Sequence, residues 1–295
     1  MRMWLELLKL RITVASTVTT MVGYVLARGQ FDWHLAPVLL GIFLQACGAA
    51  ALNQVQDSNL DAKMKRTAGR PIPSGRIARS RAAVVAISLL IFGSVILALG
   101  SLTAAILGLA AAVVYNGVYT PLKRTTPFAA LPGALIGALP PVVGWVAAGG
   151  YLNDPTIHLV AFFFFIWQIP HFWLLLLFYE NDYLEGGLPS MFDRFDRRQV
   201  VKLTFLWIAA VCVAALLLPL FALLQRPVLA YLIGVGGMVV VVRSISLLKM
   251  EVLDRDGELA KEMRAAFVRS CRIRFMEINT FALLVSGLLV TDALM

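Results

Sequence analysis

Asn53, Asp57 and Asp61 follow one another at intervals of four. On an α-helix that spacing puts the three side chains on one face. Carboxylates four apart on a helix repel by a few tenths of a kcal/mol even in water, and the repulsion grows as the dielectric falls. A chain that aligns two of them at the mouth of an apolar segment offers them to a cation. Carboxylate and amide oxygens suit Mg²⁺, which binds through one or two carboxylates together with substrate phosphates. Arg66 and Arg70, again four apart, come next, and guanidinium groups grip phosphate oxygens in pairs. Acids for a metal followed by arginines for phosphate describe a diphosphate site. The plainer alternative is a solvated loop in which Asp57 and Asp61 pair with Lys63, Lys65 or Arg66.

A second acidic group, Glu180, Asp182 and Glu185, follows the apolar run that contains Pro170 and His171. Asp182 and Glu185 are three apart and would share a helix face. Two acidic clusters over one cavity would let two cations bridge one diphosphate. An ordinary polar helix end, closed by Gly186 and Gly187, is the alternative. Pro170 removes a backbone hydrogen bond inside its run, and polar groups within a span face a cavity or the bundle interior. His171 is therefore a pocket candidate, against the simpler reading of a hydrogen-bonded core histidine. Between the clusters, Lys123 and Arg124 stand ready as a phosphate clamp or as simple membrane anchors. Tyr115 and Tyr119, one turn apart, would face the same pocket. Pro140 to Trp145 reads as another broken helix, tolerable where protein or a cavity re-satisfies the backbone.

The elements that carry these residues are set by composition. The 295 residues are 60% hydrophobic and 15% charged, with mean hydropathy +0.81, where a soluble domain holds about 45–50% apolar and about 25% charged residues. The excess collects in runs long enough to cross a bilayer as helices. Nine spans are expected: Ile12–Leu26, Leu35–Leu52, Ala82–Leu99, Leu102–Tyr119, Phe128–Ala148, Thr156–Phe178, Leu203–Leu224, Val228–Leu248 and Phe275–Ala293. The fold class is all-α, one polytopic membrane bundle of about nine helices around a central cavity, with residues 1–295 as a single integral-membrane domain. The first run is read as a retained span and not as a signal peptide, because no small-x-small site precedes Arg28.

All Lys and Arg except Arg28 and Arg226 fall in the N-terminal stretch, in alternate loops or, for Arg243, at the end of the eighth span that leads into one. By the positive-inside rule those loops are cytoplasmic. The N-terminus is thereby inside, the protein sits in the cell inner (plasma) membrane, and both acidic clusters open to the cytoplasm. The net charge of +9 then meets anionic lipid headgroups and implies no nucleic acid. The last basic stretch, Met250–Arg274, mixes acids and bases in a pattern that suits a helix on the membrane surface. Cys47, Cys212 and Cys271 are scattered, without disulfide or zinc spacing.

Taken together these motifs resemble the UbiA-type intramembrane prenyltransferase superfamily, whose N-x-x-x-D-x-x-x-D stands here as Asn53, Asp57 and Asp61. Within it the chain is most similar to the protoheme IX farnesyltransferase (haem O synthase) group. Lys9-Leu10-Arg11-Ile12-Thr13 matches that group's K-P-R-I-T with Leu10 for proline. Met64, Arg66, Thr67, Arg70 and Pro71 match M-x-R-T-x-x-R-P, and Tyr119 to Arg124 match Y-T-x-x-K-R. P-P-x-x-G-W at Pro140 to Trp145, P-H-F-W at Pro170 to Trp173 and D-Y-x-x-x-G-x-P at Asp182 to Pro189 are intact. The resemblance implies a farnesyl diphosphate donor, a haem B acceptor and Mg²⁺ held by Asn53, Asp57, Asp61 and Asp182. It also implies phosphate contacts from Arg66, Arg70, Lys123 and Arg124, and acceptor contact from His171. A haem-handover protein is a further expected partner. A relative with a quinone-precursor or lipid acceptor, and more distantly a secondary transporter, remain as alternatives. The acids lie at span ends on one face, which favours the enzyme.

Overall fold

The computed structural model describes residues 2–249 and 258–295. A short helix α1 (Arg2–Leu8) leads into α2 (Leu10–Arg28), followed by α3 (Leu35–Asp61) and α4 (Arg79–Gly100). The next rod is α5 (Leu102–Val113), which passes through a π-helical turn (Val114–Tyr119) into α6 (Thr120–Leu122). Then come α7 (Ala130–Ala147), α8 (Pro155–Phe178), the short α9 (Glu180–Gly186), α10 (Arg197–Leu220), α11 (Pro227–Lys249) and α12 (Glu258–Leu294). Among the described residues nine helices are long and apolar enough to cross a membrane, and no strand is present among them. This is an all-α, multi-pass membrane protein.

The expected spans match these helices to within a few residues at most ends, and the exceptions have physical causes. The seventh span starts at Arg197 and not Leu203, because Asp196 caps it: its carboxylate accepts from the Gln199 backbone N–H at 2.8 Å, while Gln199 accepts from the Asp196 N–H at 2.9 Å. Reciprocal bonds of this kind satisfy donors that a helix start leaves open. In the stretch read as a surface helix, 250–257 lie outside the described residues. From Glu258 onward it runs without a break into the ninth span. The prolines of α7 and α8 do not break their helices either. Pro140, Pro141 and Pro170 all lie inside continuous turns.

The reason on α7 is close packing. An added Cβ at Gly23 of α2 would lie 1.8 Å from the Pro141 carbonyl oxygen, and one at Gly144 would lie 1.8 Å from the Thr20 carbonyl oxygen. The two helices therefore meet backbone to backbone through reciprocal glycines, the usual way membrane helices approach when no hydrophobic effect draws them together. The α2–α7 pair sits at the centre, with α3 and α4 packed on one side and α8, α10 and α12 on the other. Aromatic and aliphatic side chains such as Phe163, Phe164, Ile169 and Leu174 fill the interior. Outward faces carry Ile91, Phe92, Leu99 and Val113, all exposed, as suits a surface that contacts acyl chains.

Gly23→Val and Gly144→Val should each destabilise the bundle by at least about 1–3 kcal/mol, the cost of overpacking. Gly100→Ala, where nothing lies within 4 Å, should be neutral. Cys47, Cys212 and Cys271 are all buried, so a thiol-reactive dye reports unfolding directly. Wild-type midpoints for both valine variants would disprove the close approach.

Candidate functional site

The second span outruns its apolar core. Helix α3 continues to Asp61, and its last turns carry Asn53, Asp57 and Asp61 on one face. Each is sealed from solvent, at 3%, 3% and 2% exposure. Two carboxylates buried at a membrane interface cannot stay charged without partners, and the structure supplies them from three segments outside α3.

The first is the loop after α3. It turns back on the helix end, where the Thr67 hydroxyl donates to the Asp61 carbonyl at 2.9 Å. This brings Arg70 Nη1 to both Asp61 oxygens, at 2.8 and 2.7 Å. The second is the π-helical turn. Asn116 Nδ2 donates to the Ala49 carbonyl and to Gln56 Oε1 at 3.1 and 3.0 Å, and Gln56 Nε2 donates back to the Asn116 carbonyl at 3.0 Å. So docked, the turn delivers Lys123 onto Asp57 Oδ2 and Arg124 onto Asp57 Oδ1 at 3.0 Å. Arg124 also donates to the Gln56 carbonyl at 2.8 Å.

The third segment is the α1–α2 junction. Lys9 takes a left-handed backbone, φ 50°, between the two helices, a strain of about 1–2 kcal/mol for a residue with a Cβ. In return its Nζ donates to Asn53 Oδ1 at 2.8 Å and to the Tyr115 hydroxyl at 3.4 Å. Asn53 turns its amide N–H groups to Asp57 Oδ2 and to the Thr120 hydroxyl, both at 2.9 Å. Asn53 thus joins three of the contributing segments. Burial, with repulsion from Arg70 and Lys123, lowers the Lys9 ammonium to about 7. Burial also lowers Lys123, and Asp57 opposes the shift. With Lys9, Arg70, Lys123 and Arg124 facing two carboxylates, the pocket carries excess positive potential and attracts anions.

The second acidic group is joined to the first through arginine. Arg66 donates to Asp182 Oδ2 at 2.9 Å and lies over the Tyr179 ring, 4.5 Å from its centroid. Lys65 meets Glu185 at 2.9 Å. Glu180 is held by Arg197 at 2.6 Å and faces Arg264 of α12 at 3.5 Å. His171 stands apart from these pairs. Its Nδ1 is 3.0 Å from Asn279 Oδ1, within an aromatic nest of Trp167 and Phe275. Its neighbour Phe172 stacks on Tyr119 at 5.7 Å, and Tyr119 lies 5.9 Å from Tyr115. The expected tyrosine pair is therefore assembled, while His171 points toward α12. The π-helical turn and the roles of Thr120, Asn116 and Gln56 had no distinctive sequence signal. Lys9 had one, as the first residue of K-L-R-I-T.

Below Tyr115 an apolar cavity of about 70 Å³ lies between α2, α3, α5 and α7, walled by small residues including Ala46, Ala49, Gly108 and Ala112. A second, of about 50 Å³, opens beside Lys123 between Tyr119, Phe172, Tyr183 and Met191. Among the described residues no three His, Cys, Asp or Glu side chains gather as a ready metal cage. The donor set is one amide and two carboxylates on one helix face. That fits Mg²⁺, which takes few protein oxygens and completes its shell from phosphate and water, and does not fit zinc.

A buried carboxylate pair, ringed by cations at the end of an apolar intramembrane cavity, defines an intramembrane prenyltransferase. The chain belongs to the UbiA prenyltransferase family, whose model matches residues 16–268. A protein of Oleidesulfovibrio alaskensis named protoheme IX farnesyltransferase is 37% identical over 79% of this chain and 82% of its own length. One of the same name from Nitratidesulfovibrio vulgaris is 40% identical over 74% and 77%. The fold is shared with a structure described for digeranylgeranylglyceryl phosphate synthase, at TM-score 0.73, 18% identity and coverage of 99% and 98%. It is also shared with a UbiA homolog from Archaeoglobus fulgidus bound to GPP and Mg²⁺, at TM-score 0.69, 16% identity and coverage of 95% and 99%.

Arg70→Ala leaves Asp61 buried without its cation and should destabilise the fold by about 3 kcal/mol, the cost of breaking such a pair from one side. Asp61→Asn combined with Arg70→Ala should recover most of that loss. Equal stabilities for the single and double variants, measured by thermal unfolding in detergent, would exclude the coupling.

Proposed function

We propose that this prenyltransferase moves a farnesyl group from farnesyl diphosphate to a vinyl group of haem B, as the names of its relatives suggest. The observation that carries the reading is the set of cations held on Asp57 and Asp61 at the mouth of an apolar cavity. Arg66, Arg70, Lys123 and Arg124 turn from the carboxylates to the diphosphate oxygens. Asn53, Asp57, Asp61 and Asp182 would hold Mg²⁺. That ion supplies Lewis-acid neutralisation of the leaving group, in keeping with the Archaeoglobus homolog's bound GPP and Mg²⁺.

The chain's own residues do the rest. The small-residue cavity takes the isoprenoid tail and keeps water from the allylic cation. Tyr115 and Tyr119 face that cation with aromatic rings, whose π-surfaces attract positive charge. Tyr119, Phe172 and Lys123 beside the second pocket offer aromatic faces and a cation to a macrocycle with carboxylate arms, so the vinyl group enters from the Tyr119–Phe172 side. Water completes the hydroxyethylfarnesyl product. His171 contacts the acceptor from the α8–α12 side. Residues 1–295 act as one domain in the cell inner membrane, with the N-terminus and the site facing the cytoplasm. A haem-handover protein docks at that face.

Purified protein given farnesyl diphosphate, Mg²⁺ and haem B should yield a haem heavier by one farnesyl group and one hydroxyl in mass spectrometry. Asp57→Asn should lower kcat by about 10²–10³-fold, the usual loss when one transition-state contact is removed, and chelation of divalent ions should stop turnover. Pyrophosphate release that needs Mg²⁺ and Asp57 without any haem product would move the assignment to another acceptor. His171→Ala should raise the KM for haem about tenfold, the weight of one hydrogen bond, and leave the KM for farnesyl diphosphate alone. An unchanged haem KM would reduce His171 to a packing role.

A further inference from the structure

On the side of α12 away from α8, a groove of about 480 Å³ runs between α11 and α12. Its walls are apolar: Val239 and Val240 from α11, Met276, Phe281 and Leu284 from α12. Val239, Met276 and Leu284 are exposed, at 50%, 58% and 40%, so the groove opens outward to the bilayer. Gly236 forms part of the wall, and a Cβ there would come 3.1 Å from Leu284 Cδ2.

One end of this groove is charged. Arg243 Nε donates to Glu277 Oε1 at 2.6 Å, and Arg274 Nε lies 3.0 Å from Glu277 Oε2. The second pair is off the hydrogen-bond line, so both Arg274 Nε and Glu277 Oε2 are buried without a hydrogen bond. Two arginines around one carboxylate leave a net positive charge at the groove's end. Its depth is fixed by neighbours. Phe275 packs on Phe178, the last residue of α8, at 5.6 Å, and the Arg272 guanidinium lies 5.7 Å from the same ring. The charged triad is therefore at the level where the α8 span ends, on the membrane face that carries Asp57 and Asp182. Lipid headgroups lie at that level.

We propose that the α11–α12 groove is a specific site for one anionic phospholipid, with its phosphate on Arg243 and an acyl chain along Val239, Met276 and Leu284. The charge complementarity selects the occupant. A basic pocket between spans at the headgroup level suits an anionic headgroup, and a zwitterionic lipid offers the same chain with an added ammonium that Arg243 repels. A second copy of this chain would instead bring apolar side chains to the arginine end and leave its charge uncompensated. The site is separate from the diphosphate pocket, because α12 stands between the groove and His171 of α8.

Native mass spectrometry of the full chain in detergent, titrated with dioleoyl phosphatidylglycerol or dioleoyl phosphatidylcholine, tests the site. The first phosphatidylglycerol should bind at least fivefold more tightly than the first phosphatidylcholine. Arg243→Gln, at a side chain 56% exposed, should bring the two within twofold. Gly236→Leu, which fills the wall, should remove the tight adduct for both lipids. Equal first affinities in the wild type, or a preference that Arg243→Gln leaves intact, overturns the proposal. So does a dimer whose formation Gly236→Leu abolishes while lipid binding persists.

Discussion

Two carboxylates buried at the end of a membrane helix are the constraint on which the other features depend. Asp57 and Asp61 are almost wholly sealed from solvent, and an isolated charge so placed costs several kcal/mol. Their cations do not come from their own helix. Arg70 arrives on a loop anchored by Thr67, Lys123 and Arg124 on a π-helical turn, and Lys9 through Asn53 from a junction with left-handed backbone. Each delivery has a local cost in regular structure. A π-turn widens a helix by one residue, and a positive φ at lysine is strained. The fold accepts both at this one end of the bundle, and its other spans are regular helices held by ordinary intramembrane packing.

That packing gives the cavity its form. Because α2 and α7 meet backbone to backbone at Gly23 and Gly144, the space for an elongated apolar ligand is displaced to the side, between α2, α3 and α5. There alanines and glycines line the wall. Tyr115 closes the cavity from above while its hydroxyl accepts from Lys9. The apolar chamber and the polar pocket thus share a single residue as their boundary. The carboxylates are on one side of that ring and the small residues on the other.

Much of this was legible from residue types and spacing. Span lengths are set by bilayer thickness, so apolar runs located the nine helices closely. The Asn53, Asp57, Asp61 register follows from helical periodicity and is what α3 displays. The partnering of the acids was less legible. Sequence proximity favoured Lys63, Lys65 or Arg66 for Asp57 and Asp61, whereas Arg70 and the distant Lys123 and Arg124 take them, and Arg66 reaches across to Asp182. Such pairings depend on how a loop folds back and on one extra residue in a helical turn, and neither leaves a periodic trace. The prolines misled for a related reason. Pro140 and Pro141 signal a missing hydrogen bond, but the close approach of α2 decides whether the helix breaks, and that is a property of the neighbour. Position 171 is similar, since the sequence shows a histidine after a proline but not which helix it faces.

The resting pattern of ion pairs also constrains the order in which ligands are accommodated. Asp57 and Asp61 are each occupied by cations, so a divalent ion alone would meet carboxylates already neutralised and a pocket with excess positive charge. A diphosphate alone would draw Arg70, Lys123 and Arg124 toward itself and leave two buried carboxylates facing each other, a repulsion that grows with burial. On the proposed reading, with anion and metal bound together, Arg70, Lys123 and Arg124 would face phosphate while Asp57 and Asp61 would face the ion, so each buried charge would keep a partner. Burial weakens the Lys9 ammonium, and an arriving anion would strengthen it. On that reading the cations that neutralise Asp57 and Asp61 are the same groups that would bind the substrate, and no bare charge would face the membrane.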